Sequence, residues 1–395
     1  MKQITFLCFL FCFVIACPAQ TSKKAMSVLI NDNMSYAAKQ YKVLMQNTPP
    51  TLMPRSFDSV AGKLVTSNTK WWCSGFYPGT LWMIYDHTKD AVIKEEALKR
   101  LDLMEDIKNY TGNHDLGFMM YCSFGTAYSI TKNPVYKDVI ITAANSLATR
   151  YRPSITSIQS WDSSKNFKCP VIIDNMMNLE LLEWAAKNGG DKNLHQVAVN
   201  HTNTTMKNHY RPDFSSYHVL DYDLKSGQVA RKITHQGYAD ESAWSRGQAW
   251  GLYGFIVMYR ETKNKQYLDQ ANNIASFLLR HPNLPADKIP YWDFNAPGMP
   301  DVKRDASAGA ILASALLELA QYSKGATKQE YITVAEKIIT TLSRAPYRAE
   351  VGTNGGFLLK HSVGHLPGKS EIDVPLTYAD YYFIEALTRY KKWYL

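Results

Sequence analysis

Helical spacing recurs along almost the whole chain, and it comes in two alternating kinds. Apolar residues fall three and four apart in twelve stretches, at roughly 27–46, 76–88, 92–109, 117–131, 134–152, 172–188, 191–210, 243–262, 265–280, 305–323, 328–344 and 376–393. Leu179, Leu182 and Ala186 show the spacing, as do Ala313, Leu316, Leu317 and Ala320. The even-numbered stretches carry Gly, Ala, Ser, Trp and Tyr with few charges. Their odd-numbered partners, such as AVIKEEALKRLDLMEDIK over 91–108, have one charged and one apolar face. A helix that is apolar all round must be covered all round, whereas an amphipathic one needs cover on one side only. Two concentric rings meet both demands. The pattern predicts an all-α fold, an (α/α)6 barrel of six hairpins. It forms a single domain over 25–395, although 395 residues would accommodate two or three. Strand signal is sparse: Tyr217–Tyr222 and Gln228–Thr234 flank a Gly227-containing turn and read as a surface hairpin.

Residues 1–19 stand apart. Lys2 precedes an uncharged apolar run from Ile4 to Ala16, which as a helix would span roughly 20 Å, short of the ~30 Å hydrocarbon core. This is an export signal. Two cleavages fit it: after Ala19, or a lipoprotein cut that leaves Cys17 acylated at the new N-terminus. The expected location is periplasmic or tethered to the outer membrane. No later segment is long and apolar enough to span a bilayer. Outside this leader only Cys73, Cys122 and Cys169 remain, an odd number without metal-ligand spacing, so buried free thiols are expected.

Lys and Arg exceed Asp and Glu by nine, which favours anionic partners. With 46% apolar and 20% charged residues the chain is not disordered. No basic stripe or known module points to nucleic acid.

Polar chemistry concentrates at four junctions leading into the even-numbered helices. At the first, Trp71 and Trp72 can stack on sugar rings or plug the barrel end. At the second and third, Asp115 (in GNHDLGF, 112–118) and Asp174 (in VIIDNMMN, 171–178) stand where helix caps belong, and capping alone would account for either. Asp174, however, lies among Ile and Met side chains, and desolvation raises a carboxyl pKa. Service as a general acid near neutrality needs a rise of about three units, or about 4 kcal/mol. The helix dipole opposes this by only ~0.3–1 kcal/mol. A second carboxylate facing the same cavity would spread the two pKa values apart. At the fourth junction, HQGYADESAWSRGQAWG (235–251), Arg246 and Trp250 share a helix face and could receive a carboxylate-bearing ring. Pairing of Arg246 with Asp240 or Glu241 is the structural alternative.

Other patterns fall short. Gly364–Ser370 is one residue too short for a P-loop. His361 and His365 lack a zincin glutamate, and Asp221–Gly227 lacks the EF-hand glutamate. His195, His201 and His209 read as solvated residues of a polar outer helix.

At these junctions the sequence resembles the unsaturated glucuronyl hydrolases, glycoside hydrolase family 88. The matching pieces are WWCSGFYPGTLWMIYDHTKD (71–90), HDLGF (114–118), IIDNMMNLELLEWA (172–185), HQGYADESAWSRGQAWGLYGF (235–255), DASAGAILASALLEL (305–319) and YADYYFIEALTR (378–389). The resemblance implies the same barrel and a hydrolase that needs no metal or organic cofactor. Its substrates would be oligosaccharides ending in a 4,5-unsaturated uronic acid, left by lyases acting on glycosaminoglycans. It implies hydration of the C4=C5 bond, with Asp174 as general acid/base and Asp115 as the second essential carboxylate. His114, His218, Gln236, Arg246 and Trp250 match pocket positions, with Arg246 set against the uronate carboxylate and one of Trp71 and Trp72 stacking on the sugar. Rival readings are an unsaturated rhamnogalacturonyl hydrolase acting on pectin fragments, a non-catalytic binder of acidic glycans, and an epimerase on a similar toroid.

Overall fold

The structure, a computed structural model, describes residues 22–395; the leader 1–19, with Cys17, lies outside them. Helix α1 (Lys23–Asn47) lies outside α2 (Phe76–Thr88). Outer α3 (Ala91–Met104) pairs with an inner helix whose first part, Gly117–Gly125, is π-helical and continues as α4 (Thr126–Thr131). The remaining pairs are α5 (Pro134–Ala148) with α6 (Asn175–Lys187), α7 (Asn193–Asn208) with α8 (Ser245–Thr262), α9 (Lys265–Arg280) with α10 (Ala306–Leu319), and α11 (Gly325–Leu342) with α12 (Thr377–Tyr394). Each inner helix packs on the next, and α12 packs on α2, which closes the ring. This is the (α/α)6 barrel expected from the alternation.

Burial follows the two-ring logic. All fourteen residues of α10 are buried, whereas α9 buries Tyr267, Gln270, Ala271, Ile274, Ala275, Leu278 and Leu279, one stripe at helical spacing. Cys73, Cys122 and Cys169 are buried free thiols.

A short repeat joins three inner helices to the outer helices that follow. Thr88-Lys89-Asp90, Thr131-Lys132-Asn133 and Thr262-Lys263-Asn264 form the same turn. Each lysine is left-handed, at φ 58°, 57° and 59°. Each threonine Oγ1 accepts from the backbone N–H two residues on. Each Asp or Asn side chain then caps the next helix, worth about 1 kcal/mol apiece.

The strands lie in the connections. β1 (Met53–Asp58) and β2 (Lys63–Ser67) form a hairpin. β3 (Tyr151–Arg152) pairs with β4 (Ser157–Ile158), ending α5 earlier than the periodicity suggested. β5 (Pro170–Ile172), β6 (Val219–Tyr222) and β7 (Val229–Ile233) form an antiparallel sheet, and β8 (Ser362–His365) pairs with β9 (Ser370–Val374). The expected surface hairpin is therefore two strands of three. β6 is buried throughout because β5 covers its other edge. The same layer corrects the reading of α7. His201 and His209 are fully buried, His201 accepting from the Ile158 N–H and His209 bonding the Val171 carbonyl. Burial drives their pKa values down, to about 3 and about 4. Only His195 stays partly exposed, paired with Glu183.

Candidate active site

The candidate residues gather at one end of the ring, where the inner helices begin. Asp115 and Asp174 stand just before Gly117–Gly125 and α6, Arg246 is the second residue of α8, and Tyr378 is the second of α12. Helix N-termini carry partial positive charge, so this mouth favours anions.

The three-stranded sheet places Asp174 against His218. Ile172 pairs with Val219, and the next N–H, of Ile173, donates to the His218 carbonyl. His218 Nδ1 accepts from the backbone N–H groups of His235 and Gln236, both at 3.1 Å. Two donors on Nδ1 leave the proton of the neutral ring on Nε2. Burial holds the imidazole well below its ordinary pKa. Its Nε2–H therefore lies on the Asp174 side, 3.8 Å from Oδ2, and neither atom has a protein hydrogen-bond partner. The Trp244 ring backs the imidazole at 4.4 Å.

Neither aspartate caps its helix. Asp174 makes no side-chain capping bond, and Leu116 rather than Asp115 occupies the cap of the π-helical segment. The capping alternatives fall. Asp174 is 8% exposed, and burial lifts its carboxyl to about 7 against the opposing pull of the Arg246 charge. Asp115 is also pushed well above the carboxylate range, first by burial and then by the Asp174 charge; Asn178 and Arg150 oppose this. The mutual repulsion makes the pair prefer one proton between them. His114, buried and neutral, lies 3.4 Å from Asp115 through Nε2.

Gly117 lets the two hairpins come this close. A Cβ there would lie 2.5 Å from the Asn178 Cα, and Asn178 Oδ1 accepts from the Phe118 N–H at 3.0 Å.

Arg246 departs from expectation. Its guanidinium lies over Trp244 at 4.5 Å, and its partner is Asp305, at 3.2 Å, instead of Asp240 or Glu241. Asp240 is taken by the Thr234 N–H and Glu241 by Arg211. Arg246 also donates to the carbonyls of Val363 and Gly364, so Nε is its one nitrogen without a partner. These bonds use three of its five N–H groups and leave Nε–H and one Nη2–H for a carboxylate, while the residue also anchors β8 and depresses the Asp174 pKa. Gln236 Nε2 donates to the same Gly364 carbonyl at 3.0 Å. Trp250 is fully buried, packed between Phe118 and Tyr382 with an unpartnered Nε1, so it belongs to the floor and offers no stacking face.

The two tryptophans separate. Trp72 packs with Phe118 and Tyr378 at 5.7 and 4.9 Å, whereas Trp71 is 40% exposed beneath Arg55. Asn178, Trp244, Asp305 and Tyr378 carry no site signal of their own in the sequence, and His365 reads there only as half of a failed zincin pair. Asn178 sits one turn after Asp174, a spacing that could have revealed it. Among the described residues no cluster of His, Cys, Asp and Glu could hold a metal ion, and no helix is long and apolar enough to cross a membrane.

The model of Glycosyl Hydrolase Family 88 matches residues 45–394. An unsaturated glucuronyl hydrolase from Formosa agariphila is 48% identical over 338 residues, covering 85% of this chain and 84% of the relative. A crystal structure described as an unsaturated glucuronyl hydrolase specific for heparin superposes with TM-score 0.89 at 44% identity, over 93% of this chain and 98% of that one. The unsaturated glucuronyl hydrolase of Bacillus sp. GL1, described as responsible for the degradation of glycosaminoglycan, gives TM-score 0.84 at 31% identity, over 93% and 97%.

Proposed function

The chain belongs to glycosyl hydrolase family 88, and from that membership we propose that its cup binds the unsaturated uronic acid at the non-reducing end of lyase-released glycosaminoglycan oligosaccharides and removes it by hydration. It is a glycoside hydrolase. Protonated Asp174 delivers its proton to C4 while water adds at C5, and the resulting carboxylate accepts the proton that this water gives up. The C5 hemiketal opens, leaving a hemiacetal at C1 that expels the remaining sugar chain. Asp115 holds the partner charge, and neutral His218 presents its N–H beside Asp174. The observation that carries this reading is a buried carboxyl lifted to about 7 next to a second one, at a mouth of helix N-termini. Relatives named for glucuronyl and chondroitin substrates favour glycosaminoglycan over pectin fragments. We also propose export through residues 1–19, by either of the two cleavages, which would bring the enzyme to products of exported lyases.

The test is decay of the ultraviolet absorbance of the conjugated double bond, followed against pH. With protonated Asp174 as the acid, kcat/KM should fall about tenfold per unit above an apparent pKa of about 7. A profile flat from pH 5 to 9 would refute the assignment, and a bound but unconsumed disaccharide would make the protein a binder.

Trp72 is the stacking tryptophan in this scheme. Trp72→Ala should raise KM about tenfold, in line with ~0.5–1.5 kcal/mol for an aromatic contact, and Trp71→Ala should change it less than about twofold. Equal effects in steady-state kinetics would remove the distinction.

A further inference from the structure

Next to the cup, at the turn between β8 and β9, lies an open groove that the reaction does not use. Tyr238, Trp292, Val302, Leu366 and Pro367 give it apolar walls. Tyr238 is 50% exposed, an unusual position for a tyrosine whose backbone is fixed: its N–H donates to the buried Asp293 at 2.9 Å. Lys303 is already paired with Asp373 at 2.8 Å, and Asp301 adds a negative charge, so the groove has no spare cation among the described residues.

The segments that line the groove also border the cup. Gln236 and Gly364 are joined by a hydrogen bond, and the His235 and His365 rings lie 4.6 Å apart, with His365 Nε2 bonded to the His235 carbonyl. Two residues beyond Gln236 and Gly364, Tyr238 and Leu366 line the groove. Two residues of extended chain cover at most about 7 Å, on the order of a sugar unit. An enzyme that swallows only the non-reducing end must let the rest of its substrate leave through the mouth, and this groove borders it.

We propose that the groove is a distal subsite for the reducing-end sugars of substrates longer than a disaccharide, with Tyr238 as the stacking platform. The inference rests on the reading of the cup given above. An exposed ring flanked by Leu and Pro matches the C–H face of a pyranose. With Lys303 neutralised, this subsite reads chain length and not sulfation.

The experiment compares unsaturated disaccharides and tetrasaccharides prepared by lyase digestion of hyaluronan, chondroitin and heparin. For each polymer whose disaccharide is consumed, wild-type kcat/KM should be about fivefold higher for the tetrasaccharide, equivalent to about 1 kcal/mol of stacking. Tyr238→Ala should bring that ratio to about one with the disaccharide value unchanged, and Tyr238→Phe should preserve it. A wild-type ratio of one, a ratio that survives Tyr238→Ala, or an equal loss on both substrates would overturn the subsite. Consumption of neither substrate by the wild type would sink the reading of the cup itself, and the subsite with it.

Discussion

Asp174→Asn is expected to lower kcat at least a thousandfold while making the protein more stable at pH 8. The first effect follows from chemistry: removing a general acid costs roughly 10²–10⁴ in rate, and an amide cannot take the proton back from water. The second follows from linkage. In the folded protein Asp174 keeps its proton up to about pH 7, whereas in the unfolded chain it ionises near its ordinary value of 3.8. Between these values the native state binds more protons than the unfolded state, so native stability falls as pH rises. Below about pH 4 the group contributes nothing, and above about pH 7 the loss is complete, on the order of 4 kcal/mol. Asparagine has the same shape and no charge to desolvate, so the variant escapes that loss. Asp380 is also buried and raised to about 7, and its loss has the same sign, but it is common to both proteins and cancels in their difference. Thermal melts of wild type and variant at pH 4, 6 and 8 should show a gap that opens with pH. A gap that closes, or turnover above a few per cent, would remove Asp174 from the role of acid.

The electrostatics of the mouth explain why the acid must be so deeply buried. Helix N-termini and Arg246 make the cup attractive to an anionic sugar, and the same positive field pulls every carboxyl pKa down. A helix terminus contributes about 0.3–1 kcal/mol, while a rise of three units requires about 4 kcal/mol in the opposite direction. Desolvation is the one contribution large enough to win. Ile172, Ile173, Met176 and Met177, all buried, supply it. A carboxyl at the same helix start but open to water would stay ionised, and the anion-attracting field would then work against catalysis.

Much of this was legible in the sequence, for a reason visible in particular elements. The alternation of all-buried and one-face helices is a local property, so α9 and α10 could be read with nothing else known. Asp174 could be singled out because its apolar neighbours are adjacent in the chain. What escaped reading depends on residues far apart. Arg246 is held by Asp305, 59 residues on, and by carbonyls of β8 more than a hundred residues on, while Asp240 and Glu241, the near carboxylates, turn elsewhere. His201 and His209 sit on a helix with a polar composition and become buried only because β4 and β5 lie across it. The Thr-Lys-Asp/Asn turns are too short to stand out as a repeat in the sequence, and only their common backbone unites them. The π-helical start at Gly117 leaves no trace in an apolar spacing of three and four.

Gly117→Ala should cost the protein far more activity than stability. The new Cβ would lie 2.5 Å from Asn178 Cα, 2.7 Å from Asn178 Oδ1 and 3.0 Å from Asn178 Cβ. The first of these is backbone, so no rotamer change relieves it. Either the π-helical segment or α6 must shift, and each carries one of the two aspartates at its start. Overpacking of this kind costs about 1–3 kcal/mol, within reach of a folded protein with so large a core. Catalysis should suffer more, because a displacement of about 1 Å between reacting groups costs on the order of a hundredfold. The hydrogen bond from the Phe118 N–H to Asn178 is also at risk, and Asn178 is one of the two groups restraining the Asp115 pKa. The expected signature is therefore threefold: a modest fall in melting temperature, a fall in kcat of about a hundredfold, and an altered upper limb of the pH–rate profile, since the spacing of the coupled carboxyls has changed. Gly62→Ala serves as the contrast. That glycine has left-handed φ but nothing within 4 Å of a new Cβ, so any loss there is backbone strain in the β1–β2 turn and should leave the pH profile untouched. If Gly117→Ala retained wild-type kcat and an unchanged profile, the close approach of these two helices would not be what sets the geometry of the aspartates.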